Sequence, residues 1–151
     1  RPMTEAYFDT SALVRLYVIE DHTDAVAAYV TSRRTSVAIH GLHELELENG
    51  LRAKVFRKEM TAAQCHQVLG RFAKDIADGL LMRPPVSWPD IFREANRVSS
   101  VIADRSGCRS LDVLHIAAAL HWNCSLFVSL DDRQIKAASL THLKVVDVRR
   151  L

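Results

Sequence analysis

Five short apolar runs alternate with longer amphipathic stretches along the chain. The runs of strand length lie at residues 6–8, 36–39, 80–83, 125–129 and 143–148. Apolar residues recur with helical spacing within residues 24–32, 43–58, 61–78 and 88–105. Strands that alternate with helices are typical of a mostly parallel sheet. We therefore predict an α/β fold built on a mostly parallel sheet of about five strands.

Local signals mark where several of these helices begin and end. Thr61 followed by Gln64 is typical of a capping box, and Gly79 is suited to a helix exit. The run at residues 113–120 is apolar around nearly its whole circumference, which predicts a buried helix. Asp112 stands at the entrance of that helix. A buried helix end seldom carries a charge unless a cation compensates it, so Asp112 is a candidate ligand.

Composition limits the classes to which the protein can belong. The 151 residues are 48% apolar, enough for one compact core, so we expect a single domain over residues 1–151. We expect Arg1 and Pro2 to be an artificial remnant and Met3 to be the native start. No apolar run approaches the roughly 18–20 residues of a membrane span, so we expect a soluble, cytoplasmic protein. The three cysteines form no Cys-x-x-Cys pair, and the net charge of +2 does not require a polyanionic partner.

Four acidic residues lie far apart in the sequence but at comparable places in the predicted elements. They are Asp9, Glu46, Asp112 and Asp131. Asp9 and Asp131 directly follow apolar strands, and the carboxyl ends of parallel strands meet at one edge of a sheet. Glu46 has no basic residue one helical turn away. Asp9 and Asp131 alone could each be a helix cap, but the four acids together predict one site for a hard divalent cation.

Four ordered segments of the chain resemble the PIN-domain family of metal-dependent ribonucleases, specifically its toxin branch called VapC. They read FDTSAL at 8–13, ELENGLR at 46–52, RSLDVLHIAAA at 109–119 and FVSLD at 127–131. The resemblance implies a three-layer α/β/α fold in which Asp9, Glu46, Asp112 and Asp131 form the catalytic, metal-binding pocket. It also implies that Ser11 and Ser129 support this pocket and that Arg109 and His115 flank it. Two departures from the family pattern are Asp132, directly after Asp131, and Gly50, in place of the usual alanine.

The expected activity is endoribonucleolytic cleavage of RNA with Mg²⁺ or Mn²⁺ held by oxygen ligands. Candidate contacts to RNA phosphates are the basic residues near the predicted site: Arg15, Arg33, Arg34, Arg52, Lys54, Arg57, Lys58 and Arg109. An ion pair between Arg109 and Asp112 is an equally good interpretation of that arginine. The resemblance further implies a cognate antitoxin and a homodimer. Helix faces within residues 24–34 and 43–72 are candidate partner surfaces.

Other classes of protein fit the sequence less well. The histidines at 40 and 43 lack the His-Glu-x-x-His order of a zinc enzyme, and no Gly-x-Ser-x-Gly motif of a serine hydrolase occurs. An aspartyl-phosphate phosphatase would carry a second aspartate where Ser11 stands. That phosphatase stays as one alternative, and the other is a catalytically silent α/β binding module whose acids only cap helices. Such a module would show no affinity for divalent metal ions.

Overall fold

The computed structural model describes residues 4–33 and 36–151, so the predictions for Arg1, Pro2, Met3 and Arg34 lie outside the described residues. Within these ranges, the strands span Ala6–Phe8 (β1), Val37–Ala38 (β2), Leu81–Met82 (β3), Leu126–Ser129 (β4) and Lys144–Asp147 (β5). The α-helices span Thr10–Val14 (α1), Thr23–Arg33 (α2), Gly41–Phe56 (α3), Ala62–Ala77 (α4), Trp88–Ser106 (α5), Ser110–His121 (α6) and Asp132–Ser139 (α7). A short 3₁₀ helix, Val148–Arg150, follows β5.

All strand pairs in the described ranges are parallel, which confirms the predicted α/β class. The five predicted strands are present but are shorter than expected and form two ladders. One ladder has the order β1-β4-β5, and the other pairs β2 with β3. β2 lies beside β1, but the Phe8 carbonyl at the end of β1 accepts a hydrogen bond from the His43 ring. That carbonyl therefore bonds to a side chain, and β1 and β2 belong to different ladders.

Alternation along the strands divides the core into two layers of side chains. Phe8 and Val128 pack into one hydrophobic cluster with side chains from α1 to α4. Tyr7 and Phe127 face the opposite side and join a second cluster with side chains from α5, α6 and α7. This period of two follows from the pleat, which points successive side chains to opposite faces. The sheet is therefore covered by helices on both faces, as in a three-layer fold.

Helix boundaries follow the sequence signals closely. The Thr61 hydroxyl accepts from the Gln64 amide at 3.1 Å, and the Gln64 side chain accepts from the Thr61 amide at 2.8 Å. The predicted capping box is thus confirmed. Gly79 follows α4 with a φ of 77°, a left-handed conformation that favours glycine. The helix predicted over residues 43–58 begins earlier, at Gly41, because the preceding His40 side chain caps it.

In the described part of the chain, no helix is both long and apolar enough to cross a bilayer. Cys65 and Cys124 are buried free thiols, and Cys108 is a partly buried one.

Candidate metal centre

Asp9 is the most buried of the four candidate acids. It follows β1 directly and is the N-cap of α1, where its Oδ1 atom accepts from the Ala12 amide at 3.0 Å. The Ser11 hydroxyl donates to the same oxygen at 2.6 Å. Burial raises the pKa of Asp9 above its usual value, while the hydrogen bonds from Ser11 and Ser129 oppose that rise. A buried carboxylate of this kind is stabilised by a nearby cation.

Two serine hydroxyls join the ends of β1 and β4. Ser129 donates to Asp9 Oδ2 and accepts from the Asp131 amide at 3.0 Å. Ser11, besides donating to Asp9, accepts from the Leu130 amide at 3.1 Å. These bonds hold the Asp9 carboxylate against the segment that leads to Asp131. Asp131 itself is exposed and is the N-cap of α7, with its Oδ1 atom accepting from the Gln134 amide at 2.9 Å.

Glu46 projects from α3 toward the residue that follows Asp9. Its Oε1 atom accepts from the Thr10 hydroxyl at 3.0 Å and forms a close ion-pair-type contact with His115 Nε2. The Glu46 side chain is 28% exposed, whereas the His115 side chain is only 3% exposed. Sequence reasoning left Glu46 without an internal partner. The structure corrects this, because His115 reaches it from α6, 69 positions away in the chain.

Asp112 lies on α6 one turn before His115, so the two side chains share a face of that helix. Its Oδ2 atom accepts from the Arg109 backbone amide at 2.8 Å, which caps the start of α6. Arg109 is exposed, and no ion pair between its guanidinium and Asp112 occurs in residues 4–33 and 36–151. The ion-pair interpretation of Arg109 therefore finds no support, and a role toward RNA stays a prediction.

The four acids share an unusual lack of basic partners. Among the residues that the structure describes, none of the four forms an ion pair with lysine or arginine. Glu46, Asp112 and Asp131 each have one oxygen held by an internal donor, while their other oxygen, Oε2, Oδ1 and Oδ2 respectively, receives no hydrogen bond from the described chain. Carboxylate oxygens without basic partners are the donor set that Mg²⁺ and Mn²⁺ prefer. The residues present therefore fit a hard divalent cation.

Asp132, which follows Asp131, differs from the four candidate acids in having a basic partner. It is exposed and forms an ion pair with Arg149 at 2.6 Å. Asp131 is thus the better ligand candidate of the two.

A second group of potential metal ligands lies behind Glu46. The ligand atoms of His40, His43 and His115 all lie within 4.8 Å of one another, and all three residues are buried. The four acids do not form such a group within the described residues. However, each of the six ring nitrogens of the three histidines already has a hydrogen-bond partner. A metal ion would have to displace several of these bonds, so the trio is better described as a hydrogen-bonded cluster.

A groove of about 350 Å³ opens beside Glu46. Thr10, Ser11 and Glu46 line it near the acids, and three basic side chains line it farther along: Arg15, Lys54 and Arg57. Glu20 pairs with both Arg15 and Lys54, and Glu59 pairs with Arg57 and Lys54, so two carboxylates neutralise much of the basic end. Arg33 and Arg52, two other predicted RNA contacts, are instead paired with Glu5 and Glu48.

Sequence reasoning missed part of this site. Thr10 has no role in the sequence prediction, yet its hydroxyl lies within hydrogen-bond distance of both Glu46 and His115. Tyr7 and His40 were not assigned to the site at all. The available signal was three polar side chains, Tyr7, His40 and His115, inside otherwise apolar segments.

Comparison with known proteins adds a family match. The chain matches the sequence model of the PIN domain over residues 6–140. The match covers all four candidate acids and the helices and strands that carry them. No curated protein sequence matches the chain.

Proposed function

We propose that this chain, which belongs to the PIN domain family, is a divalent-metal-dependent endoribonuclease. PIN domains are generally metal-dependent nucleases, and the finer assignment to RNA is our proposal. The observation that supports it is that Asp9, Glu46, Asp112 and Asp131 have no lysine or arginine partner among the described residues. Acids that served only as helix caps would gain nothing from lacking such partners.

Asp9, Glu46, Asp112 and Asp131 are the residues that would hold Mg²⁺ or Mn²⁺. A bound divalent ion would supply positive charge for the scissile phosphate and activate water for attack. Ser11 and Ser129 orient the Asp9 carboxylate through hydrogen bonds to its two oxygens. Thr10 and His115 hold Glu46 through its Oε1 atom, which leaves Oε2 without a hydrogen-bond donor from the described chain. In Glu46, Asp112 and Asp131 the chain thus holds one carboxylate oxygen and leaves the other without an internal donor, whereas both oxygens of Asp9 accept hydrogen bonds.

The groove next to Glu46 supports a single-stranded polyanion as substrate. Arg15, Lys54 and Arg57 lie along it, and a phosphodiester backbone running away from the acids would meet them. Glu20 competes with that backbone for Arg15 and Lys54. RNA binding would therefore depend strongly on salt concentration.

We further propose that the protein is the toxin of a toxin-antitoxin pair and forms a homodimer. The motif resemblance supports both, and α3 carries exposed apolar side chains that a partner could cover. Leu45 is 66% exposed and Phe56 is 88% exposed. Light scattering that finds only a monomer at micromolar concentration would contradict the dimer. Expression of the chain should arrest cell growth and expression of Asp9→Asn should not; unimpaired growth with the parent chain would contradict the toxin assignment.

The deciding experiment compares RNA cleavage by the parent chain and by Asp9→Asn. The substitution keeps the size of the side chain but removes the charge that a cation needs. We expect cleavage that requires Mn²⁺ or Mg²⁺, stops with EDTA, and falls by at least about 100-fold in Asp9→Asn, as for loss of a group used in the transition state.

Asp75→Asn is the matched control, because Asp75 accepts a hydrogen bond from Tyr17 well outside the acidic site. It should retain the parent activity. Full activity of a folded Asp9→Asn protein would refute the proposal. Cleavage of single-stranded DNA in preference to RNA would refute the substrate assignment while leaving the nuclease assignment intact.

A further inference from the structure

A buried chain of hydrogen bonds leads from the start of α3 to Glu46. The Tyr7 hydroxyl lies 2.7 Å from His40 Nε2 and 2.6 Å from His115 Nδ1. His115 Nε2 in turn contacts Glu46 Oε1. Tyr7, His40 and His115 are each at most 3% exposed, so water does not compete freely for these bonds.

The backbone determines the direction of this chain at its first member. His40 Nδ1 accepts a hydrogen bond from the Leu42 amide at 3.2 Å, and an amide can only donate. Nδ1 therefore carries no proton. Burial lowers the pKa of His40 to about 3, so the ring is neutral and its single proton lies on Nε2. His40 Nε2–H must then donate to the Tyr7 hydroxyl oxygen.

The direction propagates through Tyr7 to His115. Burial raises the pKa of Tyr7 well above its usual value, and the nearby Asp9 and Glu46 carboxylates act in the same direction, so the hydroxyl keeps its proton. Since the Tyr7 oxygen already accepts from His40, its own hydrogen is free to donate to His115 Nδ1. His115 then carries its proton on Nε2, where it faces Glu46.

The opposite arrangement leaves an unpaired group. A proton on His115 Nδ1 would point at a Tyr7 oxygen that already accepts from His40. The Tyr7 hydroxyl hydrogen would then have no acceptor inside the buried cluster, which is costly. The balance of hydrogen-bond donors and acceptors in the cluster thus favours the tautomer of His115 with its proton on Nε2.

We propose that Tyr7 and His40 are positioning residues that hold His115 in its Nε2–H tautomer, so that His115 orients the Glu46 carboxylate toward the metal ion. Neither residue touches the site directly. The inference rests on the proposed function for the role of Glu46, but the tautomer itself does not. It gives a functional role to Tyr7 and His40, two polar side chains that lie within an apolar core.

The test uses Tyr7→Phe, which deletes the hydroxyl and keeps the ring that stacks on Phe127 at 5.4 Å. Nitrogen-15 spectra of the histidine rings report which nitrogen carries the proton. We expect His115 to be protonated on Nε2 in the parent and to lose this single tautomer in Tyr7→Phe. Tyr17→Phe is the control, because the Tyr17 hydroxyl donates to Asp75 at 2.6 Å in the other layer of the core. It removes a comparable bond and should leave the His115 spectrum unchanged.

The functional readouts are Mn²⁺ affinity by calorimetry and the kcat of RNA cleavage. Loss of a residue that orients a ligand typically costs about 10–100-fold in metal affinity or activity. We expect a loss of that size in Tyr7→Phe, with little change in KM, and parent values in Tyr17→Phe. In a His115→Gln background, whose amide cannot change tautomer, adding Tyr7→Phe should cause no further loss.

Three results would overturn the inference: an unchanged His115 tautomer in Tyr7→Phe, a changed tautomer with parent Mn²⁺ affinity and kcat, or an equal further loss in the His115→Gln background. A parent chain that binds Mn²⁺ but cleaves no RNA would refute the proposed function alone. The spectra and the Mn²⁺ affinities would then still decide the role of Tyr7.

Discussion

Lowering the pH from about 7 to about 5 should weaken the folded state, because two buried histidines stay neutral in it. Burial is the main cause that lowers the pKa of His40 to about 3 and the pKa of His43 well below its usual value. In the unfolded chain both return to about 6.5. Between these values the unfolded state binds protons that the folded state does not. Stability is therefore lost as the pH falls through about 6.5.

The size of the effect follows from the separation of the two pKa values. A pH of about 5 lies roughly 1.5 units below the pKa of a histidine in the unfolded chain. Each pH unit below that pKa is worth about 1.4 kcal/mol of stability. Because the pKa of His40 in the folded state is about 3, this histidine costs about 2 kcal/mol, and His43, whose pKa burial also lowers, adds a loss in the same direction. The loss at His40 alone is a sizeable part of the roughly 5–15 kcal/mol by which domains are typically stable. Asp9 acts in the opposite direction, since its raised pKa favours proton uptake by the folded state as the pH falls.

Urea unfolding at several pH values between about 5 and 7 measures this loss directly. His43→Gln removes one titrating ring while retaining an acceptor for the His40 amide, the usual role of glutamine at this capping position. The loss of stability between the two pH values should be smaller in this variant than in the parent chain. His66→Gln, at an exposed position of α4, should change nothing. A stability that is flat over this range, or a slope that His43→Gln leaves unaltered, would refute the reasoning.

Four further substitutions test other parts of the structure. Gly50→Ala should stabilise the protein by about 0.5–1 kcal/mol in urea unfolding, because an added Cβ meets no atom within 4 Å, whereas Gly79→Ala should destabilise it because of the positive φ. Asp131→Asn should alter stability by less than about 0.5 kcal/mol, since both residues cap helices equally well, yet it should lower the rate of RNA cleavage; an unchanged rate would remove Asp131 from the site. Glu20→Gln should tighten RNA binding and steepen its dependence on log salt by roughly 0.7 per freed cation, and weaker binding would argue against the groove.

The elements that sequence predicted well are those determined by neighbouring residues. The capping box of Thr61 and Gln64 and the left-handed Gly79 are local signals, and both lie where the pattern placed them. The apolar runs also mark all five strands, because a buried strand of a parallel sheet needs apolar side chains on both faces. Even so, β2 and β3 shrink to two residues each, because strand length depends on pairing with a partner far away in the chain. The division into two ladders could not be predicted for the same reason.

The candidate site separates in the same way into local and long-range parts. Asp9 and Asp131 could be predicted to share one edge, since each follows a strand and parallel strands end together. The partner of Glu46 could not, because it depends on how α6 packs against α3. Histidine is also ambiguous in a sequence, since its two nitrogens can donate, accept or bind metal, and only a fixed neighbour decides among these. Here the hydrogen bond from the Leu42 amide fixes the tautomer of His40. That tautomer affects Glu46 only through the hydrogen bonds of Tyr7 and His115. A search for a zinc motif would therefore reject His40. It would also miss the proposed role of this residue, which depends on which ring nitrogen donates a hydrogen bond to Tyr7.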